Sequence, residues 1–155
     1  MTEISFYHLT ALQLERALPK LLEKVVSTGK KAVLLSSTQE QVDTLNNLLW
    51  TYTTKAFLPH GTKKDRFIDK QPIYLTCEEE NPNNAEILVA TYGIKPLFLS
   101  SFTRCIDIFN GNDEQELERA QIRIDEYQKQ GHKIIYWQQT KDGSWKQNNN
   151  YKSRL

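Results

Sequence analysis

Hydrophobic positions in the first part of the chain alternate between a strand-like and a helix-like spacing. A short β-prone run at residues 4–7 predicts a first strand. Apolar residues spaced three and four apart then predict a helix that stops at Gly29. That helix should begin no earlier than about Leu14, because Pro19 has no N–H to donate deeper in a helix. Residues 31–35 predict a buried second strand.

A second helix follows the second strand. Ser37 and Glu40 have the spacing of a capping box, in which each side chain satisfies a free N–H at the start of a helix. The apolar stripe of this helix continues to Trp50. The order strand, helix, strand, helix is typical of a parallel sheet with right-handed crossovers.

The remainder of the chain predicts four more strands and one more helix. Asp113 and Glu116 repeat the capping-box spacing, and this helix should bury Leu117, Ala120, Ile124 and Tyr127 and end at Gly131. The predicted strands are residues 73–77, 87–90, 104–109 and 133–137. We therefore expect a three-layer Rossmann-like α/β domain with a mostly parallel sheet. It should be a single domain over residues 1–146, followed by a flexible tail at residues 147–155.

Composition places the chain among globular domains. Its 155 residues can bury a continuous core without disulfides, and Cys77 and Cys105 are far apart, as in a reducing compartment. No charged-then-apolar leader or membrane-length apolar run is present, which favours a cytoplasmic protein without a membrane partner. A net charge of +1 disfavours strong direct binding to DNA, because affinity grows with the number of phosphates neutralised.

The sequence contains few signs of catalytic chemistry. The six glycines are placed singly and form neither a dinucleotide fingerprint nor a Walker loop. The three histidines share no metal-ligand spacing with one another or with the cysteines, and no serine occupies a nucleophile elbow. We therefore expect no catalytic residue, no cofactor and no metal. A binding or scaffolding module is favoured over an enzyme.

The segment LLWTYTTKAFLPHG, residues 48–61, concentrates large aromatic groups at the end of the second helix. Ordinary core packing is one interpretation. However, Trp50, Tyr52 and Phe57 exceed what one helix end needs, and a Pro-containing segment suits an irregular exposed ledge. Such groups make good protein-docking anchors. Base stacking would require interleaved cations, and only Lys55 is present.

A second candidate surface lies on the last helix. Arg119 and Arg123 are four residues apart, near Lys129, where they can receive a carboxylate or an acidic peptide. The alternative is a solvated helix face with acidic partners one turn away.

Several blocks of the sequence resemble, in order, the chi-subunit family of the bacterial DNA polymerase III holoenzyme. They are SFYHL, GKKAVLL, LLWTYTTKAFLPHG, FTRCIDIFNGND and YQKQGHKIIYWQQTKDGSWK. The resemblance covers residues 6 to about 146. The most specific parts are the W-T-(Y/F)-x(4)-F-L-P-H-G segment and the G-H-x(3)-Y-W-x-Q…G-x-W ending.

The resemblance implies a Rossmann-like fold without a bound nucleotide and a non-catalytic role in the clamp-loader assembly. It implies that the subunit tethers the polymerase to DNA coated with single-stranded-DNA-binding protein, so that contact with DNA is indirect. In the family, the aromatic segment docks the psi subunit. Here a psi subunit or equivalent clamp-loader component would contact the docking residues that this segment supplies, namely Trp50, Tyr52, Phe57, Leu58 and Pro59.

The resemblance also implies a site on the last helix for the acidic C-terminal tail of single-stranded-DNA-binding protein. The family pattern A-R-x-x-(W/Y)-K-x-Y places Gln121 at the expected Arg, Ile124 at the expected aromatic residue and Asp125 at the expected Lys. An acidic residue there repels the carboxylates of the tail. Arg119 and Arg123 are the candidate substitutes. The predicted tail site therefore comprises Arg119, Gln121, Arg123, Ile124 and Tyr127.

Two other functions remain as alternatives. One is a direct single-stranded nucleic-acid-binding module that uses the aromatic residues and the basic loop at residues 63–66. The other is a nucleotide-dependent or hydrolytic α/β enzyme that uses His8 or His60.

Overall fold

A computed structural model describes residues 2–52 and 58–148. These residues form seven strands and three α-helices. The strands are β1 (Glu3–Leu9), β2 (Ala32–Leu35), β3 (Ile73–Thr76), β4 (Ile87–Ala90), β5 (Arg104–Asn110), β6 (Lys133–Gln139) and β7 (Trp145–Gln147). The helices are α1 (Leu14–Ser27), α2 (Gln39–Thr51) and α3 (Glu114–Lys129). Along the chain these elements follow the order β1-α1-β2-α2-β3-β4-β5-α3-β6-β7.

The strands form one sheet in the order β3-β2-β4-β5-β1-β6-β7. Every neighbouring pair is parallel except β6 with β7. The first strand lies inside the sheet, between β5 and β6, because the chain crosses over to build both sides of it. The predicted Rossmann-like α/β fold with a mostly parallel sheet is confirmed.

Two apolar cores lie on the two faces of the sheet, which gives three layers. The apolar stripes of α1 and α2, including Leu22 and Leu45, belong to the first core. The inner face of α3, including Ala120 and Ile124, belongs to the second. Side chains of β1 point alternately to the two faces, as the pleat of a strand requires, and Phe6 joins the α3 core. Cys105 is buried and Cys77 is half-buried, as expected of free thiols.

The capping box of α2 lies one residue later than predicted. Thr38, not Ser37, is the N-cap, and its hydroxyl accepts from the Gln41 amide at 3.2 Å. The Gln41 side chain accepts in return from the backbone of Thr38 at 3.3 Å. Ser37 with Glu40 and Thr38 with Gln41 have the same spacing, so the sequence motif does not fix the register.

Asp113 caps α3 as predicted and accepts from the amides of Gln115 and Glu116 at 2.9 and 3.3 Å. The reciprocal half of the predicted capping box is different. The Glu116 carboxylate accepts from the Asn110 amide, at the end of β5, rather than from the Asp113 amide.

Strand β7 extends the sheet past the predicted last strand. The turn before it contains Gly143, whose φ of +88° suits a residue without a Cβ. Trp145 lies opposite Gln139 in the antiparallel pair. The predicted domain boundary at Lys146 falls inside this strand, and the Asn148 amide still donates to the carbonyl of Tyr136 at 2.8 Å.

Candidate binding surfaces

The loop between β1 and α1 occupies the place where a dinucleotide-binding fold holds a phosphate. Its free amides converge on a protein side chain. The amides of Thr10, Ala11 and Leu12 all donate to Oε1 of Gln139, at 3.2, 2.9 and 3.0 Å. Gln139 lies at the end of β6 and is only 3% exposed. We call this arrangement the Gln139 cap; it gives the loop an internal acceptor where a phosphate would otherwise bind.

The Gln139 cap also ties the loop to the β6–β7 turn. Nε2 of Gln139 donates to the carbonyl of Gly143 at 3.3 Å. The Thr10 hydroxyl donates to the backbone carbonyl of Gln139 at 2.7 Å. One glutamine thus joins the β1–α1 loop to the end of β6 and to the β6–β7 turn. It is the Gln of the G-H-x(3)-Y-W-x-Q…G-x-W pattern, which does not by itself indicate this contact.

The histidines proposed for a hypothetical enzyme have structural contacts. His8 is buried, and its Nδ1 lies 2.6 Å from the Tyr136 hydroxyl. A Cβ at Gly111 would come within 1.8 Å of the His8 ring, so the ring fills the space beside that glycine. His60 is buried as well, with Nδ1 at 2.7 Å from the Leu58 carbonyl. Among the described residues, no three His, Cys, Asp or Glu side chains form a metal-ligand group.

The aromatic segment at the end of α2 divides into core and surface. The Trp50 indole is 54% exposed, whereas Leu58 is 3% exposed and belongs to the core. The predicted partial exposure of this segment is therefore confirmed for Trp50, and the exposed ledge is wrong for Leu58. Pro59 is half-buried. Phe57 lies outside the described residues.

Two contacts hold this surface in place. The Trp50 ring lies 4.6 Å from the buried His60 ring, centroid to centroid, at an angle of 55°. Tyr52 is half-buried and donates its hydroxyl to the Glu23 carboxylate on α1. Burial, followed by the Glu23 contact, raises the pKa of Tyr52 to about 12. An exposed indole resting on a buried ring is a preorganised apolar contact surface.

The predicted pair of exposed arginines on α3 is wrong, because Arg123 is 5% exposed. Its Nε and Nη2 donate to the two carboxylate oxygens of Asp107 on β5, at 2.8 and 2.9 Å. Arg123 follows Ala120 by three residues and precedes Tyr127 by four, so it lies on the inward stripe. Arg119 remains exposed.

The Asp107 carboxylate is enclosed within the α3 layer. Burial raises the pKa of Asp107, and the Arg123 guanidinium acts in the opposite direction. Asp107 was not among the residues predicted to contact Arg123. A lone acidic residue inside the apolar strand CIDIF is the signal that could have identified it, because a buried carboxylate needs a cation or several donors.

The other predicted tail-site residues are also buried. Gln121, Ile124 and Tyr127 are 3%, 1% and 1% exposed. Ile124 and Tyr127 belong to the α3 core, where the Tyr127 ring lies 6.2 Å from Phe6. Neither amide atom of Gln121 has a hydrogen-bond partner among the described residues. These positions are therefore not an open surface, whereas Asp125 is exposed and pairs with Lys129 at 3.2 Å.

Arg119 and Arg123 meet at a cavity of about 300 Å³ beside the ends of β4 and β5. Asp113 and Glu116 line the same cavity. Two cations and two acids thus face one space, and Arg123 is already paired with Asp107. The exposed Arg119 guanidinium is therefore the group at this cavity that can bind an added carboxylate.

No helix within residues 2–52 and 58–148 is both long enough and apolar enough to cross a lipid bilayer. The fold and these surfaces define a class of protein, a Rossmann-like α/β binding module. The amides of its β1–α1 loop bond to Gln139, and the exposed Trp50 indole packs against the buried His60 ring.

The sequence matches the family model described as DNA polymerase III chi subunit, HolC, over residues 1–135. A protein of Rickettsia prowazekii (strain Madrid E) described as probable DNA polymerase III subunit chi is 35% identical over 155 residues. That alignment covers 94% of this chain and 91% of the relative. The chain therefore belongs to the DNA polymerase III chi subunit family. It is an accessory component of the polymerase complex rather than an independent enzyme.

Proposed function

We propose that this chi-family protein links a clamp-loader component, the psi subunit or its equivalent, to the C-terminal tail of single-stranded-DNA-binding protein. This role belongs to the cytoplasm, at the replisome. Family membership supports a place in the polymerase complex. The observation that carries the docking half of the proposal is the Trp50 indole, which is more than half exposed and packs against the buried His60 ring.

The clamp-loader partner contacts a surface that we call the Trp50 ledge, made of Trp50, Tyr52, Phe57 and Pro59, with Leu58 buried beneath it. Its support comes from the described members. Leu58 anchors the segment in the core, and its carbonyl bonds to the His60 ring on which Trp50 rests. A preordered tryptophan buries a large area at small entropic cost, which is why it is often an affinity hot spot.

Trp50→Ala tests this docking surface. Because the indole is largely exposed, the variant should keep its fold by circular dichroism while losing roughly 30-fold or more in partner affinity. Purified psi, or the clamp loader of the source organism, serves as the titrant in calorimetry. Ile122→Ala is the matched control, since Ile122 is a similarly exposed apolar residue on α3. Equal affinity for wild type and Trp50→Ala contradicts the docking role.

We further propose that the acidic tail binds at α3 with Arg119 as its first charged contact. Arg119 is exposed and borders the cavity beside β4 and β5. Arg123 contributes from within, since its Nη1 is the guanidinium nitrogen without a bond to Asp107. The predicted members Gln121, Ile124 and Tyr127 shape the inner side of the helix. Nearby Asp113 and Glu116 oppose the tail and keep this interaction weak.

Fluorescence anisotropy with a labelled acidic tail peptide tests this contact. Arg119→Ala should weaken binding by about two- to fivefold at low salt, the range of one exposed ion pair, and the difference should vanish as salt screens the charges. Arg66→Ala removes an exposed arginine elsewhere and should change nothing. Arg123→Ala is unsuitable, because it leaves Asp107 buried without its cation. Identical binding by Arg119→Ala and wild type at low salt rejects the site.

A further inference from the structure

A separate cleft opens between α1 and the β6–β7 edge of the sheet. Its volume is about 670 Å³, within the range of about 300–1,000 Å³ that ligand-binding pockets span. Its floor is the part of the sheet that α1 leaves partly uncovered, and its rim is α1 on one side and the β6–β7 turn on the other. It shares no lining residue with the Trp50 ledge or with the cavity at Arg119.

Three aromatic rings form the floor of this cleft, one from each of three neighbouring strands. Tyr7 of β1 lies directly opposite Trp137 of β6, and their ring centroids are 6.3 Å apart with planes at 20°. Trp145 of β7 meets Tyr7 edge-on at 4.9 Å. Each ring is only half-buried. Ordinary core aromatics are enclosed, so these rings are available to a planar ligand.

Lysines flank the rings on both sides. Lys20 and Lys24 lie one turn apart on α1, and Lys141 comes from the β6–β7 turn. All three are exposed, and none takes part in an ion pair with another described residue. Asp142 is the one acidic residue in the lining, and its carboxylate accepts from the Thr140 hydroxyl and the Ser144 amide within the turn. The cleft is therefore locally basic in a chain of net charge +1.

We propose that this cleft binds single-stranded nucleic acid directly, with bases against Trp137, Tyr7 and Trp145 and phosphates at the three lysines. Aromatic residues on adjacent strands, bordered by amines, are the elements that sheet-based single-strand binders combine. The rings have no use in a duplex, whose bases are already stacked. An acidic peptide would satisfy the lysines but leave the three-ring floor largely unused.

The number of lysines in the cleft also determines how steeply the affinity for a single strand falls with salt. For a single strand, the slope of log affinity against log salt is about −0.7 per phosphate neutralised, so three contacts give about −2. Affinity should then fall about 15-fold between about 50 mM and about 200 mM salt. Such weak, local binding agrees with the small net charge, and it adds a direct contact with the strand to the partner-mediated one proposed above.

Anisotropy of a labelled oligothymidylate provides the first test. Wild type should bind at low salt, and the triple variant Lys20→Gln, Lys24→Gln, Lys141→Gln should lose about tenfold or more in affinity together with most of the salt dependence. The control triple variant Lys63→Gln, Lys64→Gln, Lys70→Gln removes equal charge from exposed lysines outside the cleft and should bind as wild type. A duplex of mixed sequence should compete poorly.

The rings are tested separately with Trp137→Leu, which keeps apolar volume but removes the stacking face. Its affinity should fall about fivefold or more, the lower end of ring–base stacking, with the salt slope unchanged. Circular dichroism checks that it is folded. In a Trp50→Phe background, Trp137 and Trp145 are the remaining tryptophans, and the oligonucleotide should quench their fluorescence.

Four outcomes overturn the proposal. The first is no binding of the oligonucleotide at low salt. The second is loss of binding in the control lysine variant, which would assign the contact to residues 63–66 and their surroundings. The third is equal binding of the duplex. The fourth is binding at the cleft of an acidic peptide but not of the oligonucleotide. The first three leave the Trp50 ledge and Arg119 untouched. The fourth would move the acidic-peptide site from Arg119 to this cleft, and the affinity of Arg119→Ala for the same peptide distinguishes the two sites.

Discussion

Arg123 lies in the protein interior rather than on the surface because a carboxylate on a neighbouring strand, Asp107, pairs with it. Its guanidinium donates to both carboxylate oxygens of Asp107, and both side chains are at most 6% exposed. Taking two charges out of water is costly, and the two-bond geometry offsets much of that cost. The pair therefore contributes little net stability while intact, but breaking it is expensive, because the remaining charge stays buried.

Arg123→Met should lower the free energy of unfolding by roughly 3–5 kcal/mol, because it leaves the Asp107 carboxylate without its partner in the α3 layer. Urea unfolding followed by circular dichroism measures the loss. Arg119→Ala is the matched control and should change stability by no more than about 0.5 kcal/mol, since Arg119 is exposed.

Removing the second charge should reverse most of this loss. The double variant Asp107→Leu, Arg123→Met replaces the ion pair by apolar groups and should recover to within about 1–2 kcal/mol of wild type. If Arg123→Met alone is as stable as wild type, the two side chains do not depend on each other and the buried ion pair is not formed in solution.

For single residues, the sequence predicted the burial of apolar side chains well and the burial of polar side chains poorly. Ala120, Ile124 and Tyr127 follow from the helical period alone. Arg123 lies on the same stripe, yet a cation is ordinarily assigned to the surface. Only its pairing with Asp107, which depends on how α3 packs across β5, reverses that assignment. A contact between residues from two elements has no local signal in either segment.

Among the elements, the β1–α1 loop explains why a Rossmann-like domain need not bind a nucleotide. In the nucleotide binders, glycines let the backbone approach a phosphate, and free amides hold it. Here the amides of Thr10, Ala11 and Leu12 donate to Gln139. The missing glycines were visible in the sequence, and Gln139 stands in the Y-W-x-Q pattern, but its contact with the loop amides was not visible, because it arrives from the far end of β6.

Gln139→Ala should destabilise the fold by about 1–3 kcal/mol, since the amides of the loop lose their acceptor. Gln139→Glu keeps two acceptor oxygens and should retain more stability, although it loses the donor to Gly143. Thermal unfolding compares the three proteins. Inorganic phosphate should raise the midpoint of Gln139→Ala more than that of wild type, because the vacated amides can hold an anion.

Equal phosphate responses in wild type and Gln139→Ala would show that the loop does not become an anion site when the cap is removed. A stability of Gln139→Ala equal to that of wild type would show that water replaces the glutamine without cost. Lys146→Ala is a suitable control, because Lys146 is an exposed residue of the neighbouring β7.

The element boundaries show what short motifs leave undetermined. Ser37 with Glu40 and Thr38 with Gln41 satisfy the same spacing rule, and the structure forms the second pair. Strand β7 is too short to have a recognisable period; it pairs antiparallel with β6, and its Trp145 contacts Tyr7. Elements with a long apolar period were predicted correctly, and short ones depend on contacts elsewhere in the fold.

For the molecule as a whole, the proposed functions lie on separate surfaces. The α1 and α2 side of the sheet holds the Trp50 ledge and the cleft above Trp137, whereas the cavity at Arg119 lies beside the ends of β4 and β5, between α3 and the first turn of α2. Several tyrosines on both sides of the sheet are partly or fully buried. Burial is the largest of the effects that raise the pKa of the phenols of Tyr7, Tyr52, Tyr74, Tyr92 and Tyr127. Ionisation of these phenols therefore makes the free energy of unfolding depend on pH in alkaline solution.

The fold should lose stability as pH rises above about 10, the ordinary pKa of tyrosine. With phenol pKa values raised in the folded state, the unfolded chain releases protons first, so their stabilising contribution is complete below about pH 10 and disappears as pH rises through the folded pKa values.

Tyr127→Phe isolates one phenol whose hydroxyl has no hydrogen-bond partner among the described residues. This variant should match wild type at neutral pH and lose stability less steeply in alkali. Tyr52→Phe differs, because it also loses the bond to Glu23. Urea unfolding at about pH 8 to about pH 11 measures the slopes. Parallel curves for wild type and Tyr127→Phe would mean that this phenol ionises as readily in the folded protein as in the unfolded chain.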